Sequence, residues 1–337
     1  MIWVALIAGA VLTVLLQIFS VEKAMAAITA DRIPERLLVE QKEPVDLEIA
    51  LQNRSFRLIP FVQVRCRAPL GEEIGFSAWL GPRHKLHRRV ALTFSRRGRY
   101  VLGDLQVSCG DFLGLREQEA VFGSFREIVV PPQPLEAPQL DVLMGGFLGD
   151  VSARRFILED PVLTLGYREY TGADPMKRIS WTQSARHNTL MVKKNDYTVE
   201  PSVSVILNVH SDADKKEEKL ESCCRAARSV CAALEKAGVH YNFATNAQLL
   251  GSRAANSGAD GLGNRHFSAI LESLGRACGT HTVSLERLLE KELQRPGQHG
   301  RVLITPGGSE EETRQLQRLR EAGSLLVITA AEVAQWQ

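Results

Sequence analysis

SVSVILNV, residues 202–209, is the stretch on which the fold turns. Val203, Val205, Ile206, Leu207 and Val209 make a near-continuous apolar run of strand-forming residues. That is the pattern of a strand buried on both faces, as in a parallel sheet, rather than one with a wet face. Downstream the spacing predicts an amphipathic helix from Asp214 to Lys236, strand Val239–Thr245, helices near Arg265–Ala277 and Ser284–Gln294, strand Arg301–Thr305, helix Ser309–Ala322 and strand Ser324–Thr329. Ser309 and Glu312 read as a capping box, and Gly323 stands where a left-handed residue closes a helix. Alternation of this kind means an α/β domain, 201–337, with a mostly parallel sheet and right-handed crossovers.

An open α/β sheet places its ligands at the carboxyl ends of its strands. The loop Asn208-Val209-His210-Ser211-Asp212 is therefore the first candidate site. The order of elements resembles von Willebrand factor A-type domains, and that resemblance implies D-x-S-x-S here as oxygen ligands for a divalent metal. Asn208, His210 and Asp212 occupy those places, so a Mg²⁺ site would be degenerate, with an amide and an imidazole in place of hard oxygen donors. A metal-dependent binding domain or hydrolase centred on these three residues is the alternative function. His210-Ser211-Asp212 is contiguous and cannot relay a proton in the order a triad needs. Cys224 and Cys231 share a helix face with Leu220, Ala227 and Leu234, which reads as burial and lacks zinc spacing. Thr305-Pro306-Gly307-Gly308-Ser309 reads as turn chemistry and lacks the Gly-Lys-Ser/Thr ending of a phosphate loop. No catalytic residue and no cofactor is assigned.

Upstream lies YREYTGADPMKRISWTQSARHNTLMVKK, Tyr167–Lys194, within a segment 167–200. Asp174-Pro175 signals a helix start, predicting a short helix to about Arg186, which His187-Asn188 stops before a half-buried strand over Thr189–Lys194. Two readings of the segment stand. In one, Glu169 or Asp174 pairs with Arg178 or Arg186 while Trp181 plugs the core. In the other, clustered Arg, Tyr and Trp present a recognition surface.

Arg168, Glu169, Tyr170, Gly172, Asp174, Ile179, Trp181, Ser184, Ala185, Arg186, Leu190 and Val192 resemble the signature R-E-Y-x-x-G-x-D-x-x-x-I-x-W-x-x-S-A-R-x-x-x-L-x-V of the bacterial family catalogued as domain of unknown function 58. Arg96-Arg97-Gly98-Arg99-Tyr100 and Asp111-Phe112-Leu113-Gly114-Leu115 resemble its R-R-G-x-Y and D-P-F-G-L segments, with Phe112 where proline is usual. The family has Gly-Asp where this chain has Gly172-Ala173-Asp174. The resemblance implies a partner of the MoxR-type AAA+ ATPase class and an adaptor or assembly role. The expected function is thus a non-enzymatic, membrane-anchored interaction module. Arg168, Glu169, Tyr170, Gly172, Asp174, Arg178, Trp181, Ser184 and Arg186 hold or present the interface.

Four prolines in Val129–Pro138 predict a stiff connector, 133–166, with a mobile Gly145–Gly149. Before it, 28–132 reads as short alternating strands: Val45–Gln52, Phe61–Arg67, Gly75–Leu80, Lys85–Phe94, Arg99–Val107 and Glu119–Val130. The regular spacing suggests an immunoglobulin-like β-sandwich. Arg83, His84, Lys85, His87, Arg88 and Arg89 form a basic run in it. It reads as a solvated strand face or as a contact for anionic lipid headgroups.

Ile2–Phe19 carries no charge and at ~1.5 Å per residue spans roughly 27 Å, close to the ~30 Å hydrocarbon core. Within a segment 1–27, it predicts one membrane helix. Lys23, Arg32 and Arg36 follow it, so the positive-inside rule puts the remainder in the cytoplasm of a single-pass protein of the cell membrane. Six scattered cysteines suit a reducing compartment. With 41 basic and 39 acidic residues nearly cancelling, a general nucleic-acid binder is excluded.

Overall fold

The computed structural model describes residues 2–34, 37–67, 73–110, 117–123, 126–155, 164–172, 174–195, 202–210, 216–251, 257–295, 298–307, 316–317, 319–320 and 324–336. The chain divides into two compact units, Met1–Pro131 and Pro132–Gln337.

The first unit opens with helix α1, Ile2–Met25. Here the expected membrane span is corrected, because among the described residues no helix is long and apolar enough to cross a membrane. The side chains described in α1 are those of residues 2–12 and Met25. Met25 packs into protein instead, its thioether 3.8 Å from the Cys109 Sγ. The flank argument falls too. Arg32 is 1% exposed within this unit and is no interfacial charge, while Arg36 lies outside the described residues. Single-pass anchoring in the cell membrane, with its cytoplasmic orientation, is therefore not supported.

Nine strands follow: β1 Ile28–Pro34, β2 Pro44–Asn53, β3 Ile59–Arg67, β4 Glu73–Leu80, β5 Lys85–Thr93, β6 Gly98–Val101, β7 Leu105–Gly110, β8 Glu117–Phe122 and β9 Glu127–Val130. They pair antiparallel as β1-β2-β5, β4-β3-β7-β8 and β6-β9. In β2, Val45, Leu47, Ile49 and Leu51 are buried while the residues between them are not, the period of two expected of a strand with one core face. Ile49 and Leu51 meet Val62, Val64, Leu105 and Val107 of the four-stranded sheet in one shared core.

The sequence reads Arg99–Val107 and Glu119–Val130 as single strands, yet each is broken between two sheets. Gly103 marks the first break. A Cβ there would lie 2.8 Å from the Arg67 carbonyl oxygen, so the backbone turns where only glycine fits. Gly123 stands at the second break.

The second unit begins with α2, Pro138–Arg155, where a connector with mobile glycines is expected. Leu140, Met144, Phe147 and Val151 are buried at spacings of four, three and four. That apolar stripe outweighs the roughly 1 kcal/mol cost of each helical glycine. Gly300 receives it: a Cβ there would meet Phe147 and Val151, each at 2.7 Å.

Then come β10 Thr164–Glu169, α3 Trp181–His187, β11 Met191–Asn195, β12 Ser202–Leu207, α4 Lys216–Ala237, β13 His240–Thr245, β14 Ala247–Leu249, α5 Asn264–Arg276, β15 Ala277–His281, α6 Leu285–Leu293, β16 Gln298–Thr305, β17 Ser324–Thr329 and a terminal helix, Ala330–Gln335. The parallel sheet has the order β13-β12-β16-β17. All six residues of β12 are buried. Val203, Val205 and Leu207 face α4, and Ile206 faces α6. The predicted helix 309–322, its cap and Gly323 fall largely outside the described residues.

The expected fold class is thereby corrected in two parts, the membrane helix and the mostly parallel sheet. The described strands form six sheets of two to four strands, and one of them is parallel. After β13 the described chain leaves the parallel sheet before it returns at β16. β14 and β15 pair off as a separate antiparallel ribbon. β15, ACGTH, is buried only at Ala277, so it lacks the apolar run that burial on both faces demands.

Candidate functional site

The chain enters the parallel sheet at β12, moves to β13 on one side, then crosses to β16 on the other. The reversal of direction lies between β12 and β16, where open α/β sheets form their crevice. Asn208 follows β12 and Thr305 ends β16, and here they close on each other: Asn208 Nδ2 donates to Thr305 Oγ1 at 3.1 Å. Asn208 Oδ1 accepts from Asn246 Nδ2 at 2.7 Å and from the His210 backbone N–H at 3.1 Å. The Val209 N–H donates to Asn246 Oδ1 at 2.9 Å.

Both acceptor positions of the Asn208 carbonyl are thus spent inside the protein, and a metal would have to displace a hydrogen bond to use it. The His210 ring meets His281 edge-on, with centroids 4.8 Å apart. Asp212 lies outside the described residues. Among the described residues no group of three or more His, Cys, Asp or Glu is placed to hold a metal ion. In the loop after β16, the Gly307 N–H is turned onto Thr305 Oγ1 at 3.3 Å.

The signature segment is a hairpin with a short helix between its strands. β10 and β11 pair antiparallel, Tyr167 opposite Lys193 and Arg168 opposite Val192. The single helix expected from Pro175 to Arg186 is split into a 3-10 turn, Met176–Arg178, and α3. The break has a cause. Ile179 is buried and extended, bridging to Val192, and the Ser180 N–H donates to the Met191 carbonyl at 2.8 Å. A β-branched residue here is worth more as a third strand position than as a helical one. Ser184 fastens α3 from inside, its Oγ donating to the Ser180 carbonyl and accepting the Met191 N–H, each at 2.8 Å. Asn188, at φ 56°, ends α3 in the left-handed conformation that asparagine tolerates.

Asp174 pairs with Arg168 rather than with Arg178 or Arg186. Nη1 donates to Oδ2 at 2.7 Å and Nη2 to Oδ1 at 2.5 Å, a two-pronged fork. The Thr171 N–H and hydroxyl donate to Oδ2 at 3.0 and 2.7 Å. Arg168's hydrogen bonds, with those of Thr171, hold the Asp174 carboxyl well below the ordinary carboxylate range. The fork closes the turn that carries Gly172 and orders the loop into α3.

Trp181 does not plug a core. It is 67% exposed, and Met176 is 72% exposed; Tyr167 and Leu190 are exposed as well. Glu169 and Arg186 are exposed, while Tyr170 and Arg178 are half-buried. The order inside the segment comes from Ile179, Ser184, Val192 and the fork, and it leaves the large apolar side chains outward.

No family model matches this chain, and no curated protein matches it. Solved structures are similar only slightly. A CARDB domain from Pyrococcus furiosus, in complex with di-metal ions, is 16% identical over 31% of this chain and 86% of that one, with a TM-score of 0.22. Spo0M, a sporulation control protein from Bacillus subtilis, is 13% identical over 43% and 58%, with a TM-score of 0.19. An exo β-N-acetylglucosaminidase from Vibrio harveyi is 10% identical over 87% and 59%, with a TM-score of 0.21. Similarity this slight carries no argument about fold, ligand or partner.

One polar cluster escapes the sequence reading. Glu292 of α6 is fully buried, and its carboxylate accepts from Ser204 Oγ at 2.7 Å, Asn242 Nδ2 at 2.9 Å and Ser257 Oγ at 2.5 Å. Ser204 stands level with Asn242 on one side and Arg301 on the other. Burial lowers the Arg301 pKa, an effect that the Glu292 charge opposes. Three polar residues at one level of otherwise apolar strands were the signal. Its described side chains are buried, with the partly exposed Arg295 Nε 3.7 Å from the carboxylate, and it serves to fix α6 on the sheet.

Proposed function

We propose that this protein is a non-catalytic interaction module whose contact surface is the Tyr167–Lys194 hairpin and helix. The observation that carries the reading is the outward display of Trp181 and Met176 from a segment ordered beneath them. Exposed Trp and Tyr beside Arg are the residue types that dominate binding hot spots, and a preordered display lowers the entropy cost of docking. Tyr167, Arg186 and Leu190 extend the surface.

The resemblance to the domain of unknown function 58 family rests on the quoted motifs, and through it we assign a MoxR-type AAA+ ATPase as the partner class. The metal-dependent hydrolase alternative is disfavoured by the occupied Asn208 carbonyl.

The test is co-purification of the full chain with the MoxR-type ATPase of its own genome, as wild type and as Trp181→Ala and Arg186→Ala. Recovery by wild type with loss in the variants is expected. Equal recovery from all three removes the surface, and no recovery at all removes the partner.

A further inference from the structure

β5 is the outer strand of its sheet: among the described residues it pairs with β2 and with no other strand. Its free edge is basic. Lys85, His87, Arg88 and Arg89 are exposed, and from Pro82 to Arg99 there is no Asp or Glu. Glu48, opposite Arg89 in register, is engaged by His87. Among the described residues no ion pair to Lys85, Arg88 or Arg89 is present.

The end of β5 is built as well as charged. Asn53, fully buried, donates through Nδ2 to the Arg57 carbonyl at 2.7 Å and to the Gly81 carbonyl at 2.8 Å, tying the two neighbouring turns together. Phe56 stands out from the first turn and Trp79 from the end of β4, both exposed. The Arg83 guanidinium sits 4.0 Å over the Phe56 ring, and His84 stacks on Trp79.

We propose that this edge is a docking strand for an acidic, extended segment of a partner protein, added antiparallel to β5 with Phe56 and Trp79 as anchors at one end. The site lies in the first unit and does not rest on the reading of Tyr167–Lys194.

Three observations select that occupant. Strand pairing satisfies the edge N–H and C=O groups, and side chains of an added strand alternate between the two faces. The fixed charges stand on both faces in the same way, Lys85 and Arg89 on one and Arg88, opposite Ile49, on the other. A flat lipid surface meets one face only. A second copy of β5 would bring like charges into direct opposition, which destabilises a pair, whereas opposite charges contribute about 0.2–1 kcal/mol each.

The test uses the full chain with a fluorescein-labelled glutamate–valine decapeptide of Glu-Glu-Val repeats, whose period of three puts glutamate on both faces of an added strand, read by anisotropy and by amide exchange across β5. Controls are the lysine–valine peptide, a glutamate peptide with proline at alternate positions, and phosphatidylglycerol vesicles. Binding of the glutamate–valine peptide alone, slower exchange in β5, and a loss of affinity of about tenfold or more in R88E/R89E are expected. The milder R88A/R89A should show the same direction, which guards against a folding defect. Equal binding of the proline peptide, unchanged affinity in both variants, protection of β5 by vesicles instead, or no binding overturns the proposal.

Discussion

Arg168 and Asp174 face each other across the signature turn as a two-pronged ion pair, 2.7 and 2.5 Å. The depressed carboxyl sets a pH window by its sign. A group whose folded pKa lies below its unfolded value, about 3.9 for Asp, stabilises the fold above that value and loses the contribution as pH falls through the folded pKa. The turn should therefore stay closed at pH 4. A ¹³C titration of Asp174 is expected to show no protonation near pH 4 in wild type. In Arg168→Ala the group should titrate higher than in wild type while the two Thr171 hydrogen bonds still hold it down.

Trp181 and Ser184 lie one turn apart on α3 with opposite exposure, and their variants should separate binding from folding. Trp181→Ala removes an exposed ring, so stability should move by no more than about 0.5 kcal/mol, while partner affinity falls by about 2 kcal/mol or more if it is a hot spot. Ser184→Ala strands the Met191 N–H and should cost about 1–3 kcal/mol. Thermal melts beside binding isotherms distinguish the two.

What the sequence made legible follows from how local each signal is. β12 and β17 stand out because a buried strand carries its own apolar run. α3 and α2 were misread because tertiary partners decided them: Val192 draws Ile179 out of a helix, and Gly300 gives Phe147 and Val151 a place to pack. Residue types alone drew attention to the Arg168–Asp174 turn, but not to which arginine would reach the carboxylate. The Glu292 cluster joins residues 88 and 50 positions apart, and no short window contains it. Apolarity alone made Ile2–Phe19 look like a span.

The six thiols sort by burial. Cys66, Cys109, Cys223, Cys224 and Cys231 are buried and Cys278 is not. Burial pushes the Cys109 thiol up to about 12 and raises that of Cys231, so neither forms the reactive thiolate near neutral pH. A thiol-exchange reagent at pH 8 should modify Cys278 rapidly and the other five only after denaturant is added. Fast modification of α4 by mass spectrometry would contradict the packing described for it.

Glu292 accepts three hydrogen bonds with no exposure, so replacing it strands their donors. Glu292→Ala should destabilise the second unit by about 3–5 kcal/mol, the range for breaking a buried charged network. Glu292→Gln keeps one acceptor oxygen and should cost less. Urea denaturation followed by fluorescence reads the difference. Equal, small losses in both would mean that α6 is held by Leu285, Leu288 and Leu289 alone.

Arg32 does for the first unit what Glu292 does for the second. Its guanidinium donates to the Leu102 carbonyl at 3.1 Å and to the Phe122 carbonyl at 3.3 Å, where the chain passes from β6 to β7 and from β8 to β9. It also approaches Asp104 at 3.6 Å, but the Asp104 side chain is 64% exposed. An ion pair with one partner in water contributes at most about 1 kcal/mol. A carbonyl left buried without a donor costs about 1–3 kcal/mol. The two readings therefore predict different outcomes. If the carbonyls matter, Arg32→Leu should cost about 2–5 kcal/mol and Asp104→Asn under about 1 kcal/mol. Arg32→Lys, with one short ammonium, should fall between them. Equal losses in Arg32→Leu and Asp104→Asn would place the function of Arg32 in the ion pair instead.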